Sequence, residues 1–127
     1  MGIVFKSAAT IAFVLGAAPA AAQSMPLPTF LAKAAALEKK GAMALFSGDL
    51  KVLKREMEGS ATALRGERLA ATKAGKRPAY CPPAKRGPMS SDEILSHMRA
   101  IPAAQQSRMT TRDGFRSLMV RKYPCPA

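Results

Sequence analysis

Two cysteines constrain this chain more than any other feature. Cys81 lies in RPAYCPPAKRGP and Cys125 in YPCPA, 44 positions apart, each beside a tyrosine and among prolines. The spacing excludes a CxxC pair. A structural zinc site wants four ligands, and the chain adds a single histidine, His97. A redox pair would ordinarily stand closer together, in a strand-loop-helix setting. A disulfide requires an oxidising compartment.

Residues 1–22 speak to the compartment. MGIVFK carries Lys6, and SAATIAFVLGAAPAAA follows, apolar or small throughout, ending Ala20-Ala21-Ala22 before Gln23. This is the order of a secretory signal peptide. Its strongly apolar part, Ile11 to Leu15, is far shorter than the roughly 20 residues that span a bilayer. An uncleaved N-terminal anchor is the alternative. The expected product is a periplasmic or secreted domain of residues 23–127, cleaved near Ala22. There, an even cysteine count favours a disulfide between Cys81 and Cys125. Within one chain it would clamp the last two helices into a closed unit, worth about 4 kcal/mol by loop entropy. A bridge between two chains is the other possibility. Tyr80 and Tyr123 either pack on the bridge or serve as ordinary core aromatics.

The mature chain has the size of one small domain, and its pattern is helical. Thr29 is the expected N-cap of a helix whose Phe30, Leu31, Ala34, Ala35 and Leu37 share a face, with Gly41 as the stop. A second helix runs from about Ser47 to Ala74, capped by Ser47 or Asp49. Met43, Phe46, Leu50, Leu53, Met57, Ala61 and Leu64 recur at steps of three and four, and Gly59 and Gly66 suggest a kink, a break or a close approach. The glycines and prolines of KAGKRPAYCPPAKRGPMS make a long loop. Ser90 and Glu93 form a capping-box pattern ahead of a helix that turns Ile94, Leu95, Met98 and Ile101 inward and ends at Pro102. AAQQSRM allows one more turn. Thr110 or Thr111 caps the last helix, with Phe115, Leu118, Met119 and the Lys122 stem on one face. No strand is expected, because period-two alternation and hairpin turn signals are lacking. The fold class is all-α: about four main helices stapled by one disulfide.

No catalytic residue is expected. GxSxG, HExxH, phosphate-loop and paired-carboxylate patterns are all missing from the sequence. His97 reads as a partly exposed surface histidine. No cofactor or metal is implied. Charge is the other strong signal. Without Lys6, the twenty Lys and Arg become 19 against 8 Asp and Glu, a balance of +11. In an exported chain this points away from nucleic acid, towards an acidic protein or an anionic envelope surface. Lys76, Arg77, Lys85 and Arg86 cluster in the loop, and Arg116 and Arg121 near the C-terminus. A bridge from Cys81 to Cys125 would bring part of these clusters into one basic patch, fit to dock an acidic partner or simply to keep the domain soluble.

The C-terminal half also resembles a known family. Tyr80-Cys81-Pro82-Pro83, the capped helix SSDEILSHMRAIP and TTRDGFRSLMVRKYPC follow the order of the Rap/Tai immunity proteins of type VI secretion. The resemblance spans about residues 79–125. It implies a small periplasmic helical protein, disulfide-stabilised, that blocks effectors such as cell-wall amidases by occlusion and does no chemistry itself. It makes Cys81 and Cys125 structural positions. Residues 23–76 depart from the family, which commonly has a further cysteine pair, since they hold no cysteine. A basic, envelope-associated structural protein with no toxin partner is the alternative.

Overall fold

The computed structural model describes residues 23–127; the expected signal segment, 1–22, lies outside the described residues. Among these the chain is all-helical, without a strand. It runs α1 (Leu27–Lys40), a 3₁₀ turn (Gly41–Phe46), α2 (Gly48–Lys73), α3 (Ser91–Ala100), α4 (Ala103–Gln106) and α5 (Thr111–Lys122).

α1 begins two residues before the expected Thr29 cap. Pro26 is the cap, and Pro28 occupies the second helical position, where its missing N–H leaves nothing unsatisfied. The cause is distant in sequence. Met25, Pro26 and Leu27 pair with the segment before α5: Leu27 N–H donates to the Met109 carbonyl at 2.9 Å, and Thr111 N–H to the Met25 carbonyl at 2.8 Å. The Thr111 hydroxyl, fully buried, donates to the same Met25 oxygen at 3.0 Å. Ser24 joins in, accepting from Arg112 N–H and donating to Glu56. QSMPLP is therefore a structural strap, and Leu27, 0 % exposed, is a core residue that helical spacing alone did not reveal.

α2 is one uninterrupted helix of 26 residues. The expected kink or break at Gly59 is not there. Nor does another helix come close, since a Cβ built at Gly59 or Gly66 meets no atom within 4 Å. Both positions face water and tolerate glycine because packing elsewhere holds the helix. Gly59→Ala and Gly66→Ala are therefore expected to stabilise, by about 0.5–1 kcal/mol each, measurable as a higher urea midpoint. Ser47 caps this helix, accepting from Asp49 N–H. Met43 and Phe46, expected on its inner face, instead lie in the 3₁₀ turn and point to solvent, and Ala61 is exposed too.

Cross-links define the packing. Lys33 meets Asp49 and Ser24 meets Glu56, so α1 and α2 run antiparallel. Ser24 joins Glu56 to the Arg112 N–H while Arg116 bonds Glu67, so α5 runs parallel to the second half of α2. His97 meets Ser117 and Glu93 meets Lys122, so α3 lies antiparallel on α5. Leu27, Phe30, Leu37, Leu53, Leu64, Tyr80, Met98, Phe115, Leu118 and Met119 fill the space between them. Thr110 caps α5 with a complete capping box, its hydroxyl receiving Asp113 N–H while the Asp113 carboxylate accepts from Thr110 N–H. The expected box at Ser90 is only half formed. Ser90 accepts from Glu93 N–H, but the Glu93 carboxylate is drawn to Lys122 instead.

Candidate functional site

The disulfide is present, within one chain, joining Cys81 to Cys125 with their Cα atoms 4.8 Å apart. Its surroundings lock the loop and the terminus together. Cys81 N–H donates to the Tyr123 carbonyl at 2.8 Å. Arg77 reaches from the loop to the carbonyls of Cys125 and Pro126, at 2.9 and 2.8 Å. Tyr80 is buried in the core with the Arg68 guanidinium 6.0 Å from its ring centre, a cation–π contact. Tyr123 is half-buried beneath Lys122. The clamp encloses α3, α4 and α5, as expected of its spacing.

The basic residues divide by partner. Lys76, Lys85 and Arg86 are exposed on the loop. Arg77 is spent on the clamp. Arg116 is committed to Glu67 and Asp113, at 2.9 and 2.8 Å. Burial works against its charge, but the bonds and attraction of Glu67 and then Asp113 outweigh it and raise its pKa. Burial likewise opposes the Asp113 carboxylate, yet hydrogen bonds from Thr110 and Arg116 hold its pKa below the ordinary value. Arg116 is thus tied down between α2 and α5. Arg121 sits on the last turn of α5, in a cleft with Glu93, Ser96, His97, Ala100, Leu118 and Lys122.

His97 has the partner that sequence did not reveal. Its Nε2 lies 2.8 Å from the Ser117 hydroxyl. That hydroxyl donates to the Gly114 carbonyl at 2.7 Å, so it accepts from Nε2–H. The pair is a tie between α3 and α5. Burial, and then the Arg121 charge, hold the His97 pKa below its ordinary 6.5. The folded state therefore takes up the proton less readily than the unfolded one. Stability is expected to fall as pH drops from about 6.5 through the lowered folded value, then level off. Urea midpoints at about pH 7.5 and pH 5 should differ more for the native chain than for His97→Asn.

Among the described residues no group of three or more His, Cys, Asp or Glu side chains is placed to hold a metal. A cleft between the N-terminal strap and α2 contains Ser24, Glu56, Ser60 and Arg112. The buried Ser60 hydroxyl and Arg112 Nε have no hydrogen-bond partner there.

A more apolar opening lies elsewhere, between α1, α2 and α3. It is a groove of about 470 Å³ whose floor and walls include Phe30, Leu37, Leu53, Met57, Ile94 and Leu95. Ile94 and Leu95, on the α3 side, stay half-exposed. Of the charges at its rim, Glu38 is paired with Arg99, while Lys54 and Glu58 stand in solvent. Every one of those apolar residues except Met57 and the α3 pair is itself buried, so the groove is an open seam of the core. No family model, curated protein or solved structure matches the chain.

Proposed function

We propose that this is an exported, non-enzymatic binding protein that occludes an acidic secreted effector, in the manner of the Rap/Tai immunity proteins that its C-terminal half resembles. One observation carries the reading: the apolar groove between α1, α2 and α3. Its occupant is an amphipathic segment of the effector, apolar face down, the mode by which grooves between helices take helical ligands. Charge complementarity selects the partner. A mature chain carrying +11 steers an acidic protein and repels a second copy of itself. The disulfide clamp keeps α3, which forms one wall, fixed without the partner, and pre-organisation of this kind limits the cost of binding.

The test is hydrolysis of cell-wall sacculi by the secreted fraction of the source cell and its siblings, with the purified mature protein added. The native chain should suppress hydrolysis and the groove variant Ile94→Glu/Leu95→Glu should not, although both fold. Unchanged hydrolysis with the native chain would overturn the assignment. Inhibition by both proteins would displace it from the groove.

A further inference from the structure

The 3₁₀ turn between α1 and α2 holds the most exposed large apolar side chains among the described residues. Met43 is 66 % exposed, Leu45 75 % and Phe46 84 %. In a 3₁₀ turn, residues three apart eclipse one another. Met43 and Phe46 therefore share a face, and Leu45 lies beside them. Ala44 alone packs towards the core. Gly41, at φ +54°, swings the chain out of α1 into this turn, a conformation that favours glycine. Scattered apolar residues on a surface need no explanation, but a contiguous cluster marks an interaction site.

A collar of cations surrounds it. Lys39 and Lys40 close α1 and Lys51 lies in the first turn of α2, all exposed and none paired with a carboxylate among the described residues. The nearby acid, Asp49, is bonded by Lys33 at 2.9 Å and attracts Lys40 more weakly, so the collar stays net positive. No helix among the described residues is long and apolar enough to cross a membrane.

We propose that this tip docks on an anionic lipid surface. Met43, Leu45 and Phe46 enter the boundary between headgroups and acyl chains, and Lys39, Lys40 and Lys51 rest on the phosphates. The shape selects lipid over protein. The cluster is a knob on a helical hairpin, and a bilayer yields around a knob whereas a protein must supply a matching hollow. The charges select anionic lipid, because each lysine held near such a surface strengthens binding about fivefold. Docking here leaves Ile94 and Leu95 free, so it goes beyond the proposed effector binding and does not depend on it.

The chain has no tryptophan, so Phe46→Trp is a sole reporter. With vesicles of about 30 % phosphatidylglycerol in phosphatidylcholine, its emission should shift to the blue and become shielded from acrylamide; with phosphatidylcholine alone it should not. Leu45→Ser/Phe46→Ser should weaken co-sedimentation with the anionic vesicles by about tenfold or more, and Lys39→Gln/Lys40→Gln by about 25-fold. All three variants should melt with the native chain, since the altered side chains are exposed. An unshifted tryptophan would overturn the proposal. So would a Leu45→Ser/Phe46→Ser chain that sediments like the native one, or one whose only change is in binding to another protein.

Discussion

Replacing Cys81 and Cys125 with serine will cost about 4 kcal/mol and lower the melting temperature by about 20 °C. The bridge closes a loop of 44 residues, and the chain-entropy value for that length sets the size of the loss. A small domain has about 5–15 kcal/mol in all, so the bridge supplies a large share of the stability. The loss should be shared unevenly. α1 and the first half of α2 are tied by Lys33–Asp49 and Ser24–Glu56, outside the clamp. The end of α5 relies on Cys125, on the Cys81–Tyr123 backbone bond and on Arg77. Amide exchange should therefore rise most in residues 76–90 and 119–127. Single and double serine variants should melt together, because either substitution removes the whole bridge. A double variant melting within about 5 °C of the native chain would show that the noncovalent clamp suffices without it.

Leu27→Ala should cost about 3 kcal/mol, within the range for a fully buried leucine. Leu27 lies directly on the backbone of α5. A Cβ built at Gly114 would stand 3.3 Å from both of its terminal methyl carbons and 3.4 Å from Met98 Cγ. Glycine at 114 thus lets the N-terminal strap seat its leucine against the helix, and truncating that leucine opens a cavity between α1, α3 and α5 that rigid backbone cannot close. Thermal melts should place Leu27→Ala well below Leu31→Ala, whose parent side chain is only half-buried. Equal effects would mean that the strap is not part of the core.

These two cases also separate what was legible in the sequence from what was not. The disulfide, the helix set and the caps at Ser47, Ser90 and Thr110 follow from local chemistry or from counting. Leu27 does not, because its burial depends on a pairing between residues 25–27 and 109–111, which no local pattern encodes. Met43 and Phe46 depart from the helical pattern for a related reason: a spacing of three suits an α-helix face, yet in a 3₁₀ turn it aligns two side chains that the fold then points outward. The Ser90–Glu93 box forms only by half because a distant lysine, Lys122, competes for the same carboxylate. His97 gained its serine only when α3 and α5 came together. The groove was legible in its parts, since Phe30, Leu37, Leu53, Ile94 and Leu95 all read as inward-facing. A periodic stripe tells which face is turned in, not whether the neighbouring helix covers it.

The basic residues show the same limit from the other side. Lys76, Arg77, Lys85, Arg86, Arg116 and Arg121 look alike as charges, but Arg77 and Arg116 are held by internal partners. A docking surface centred on the clamp would draw on Lys76, Lys85, Arg86 and Arg121. One centred on the groove would draw on Phe30, Leu53, Ile94 and Leu95. Hydrogen exchange of residues 23–127, alone and with the cell-wall hydrolase that the proposed function expects it to inhibit, decides between them. Protection should appear in residues 30–37, 50–57 and 91–95, the three walls of the groove; protection confined to residues 76–86 and 121–127, or none anywhere, would contradict binding in the groove.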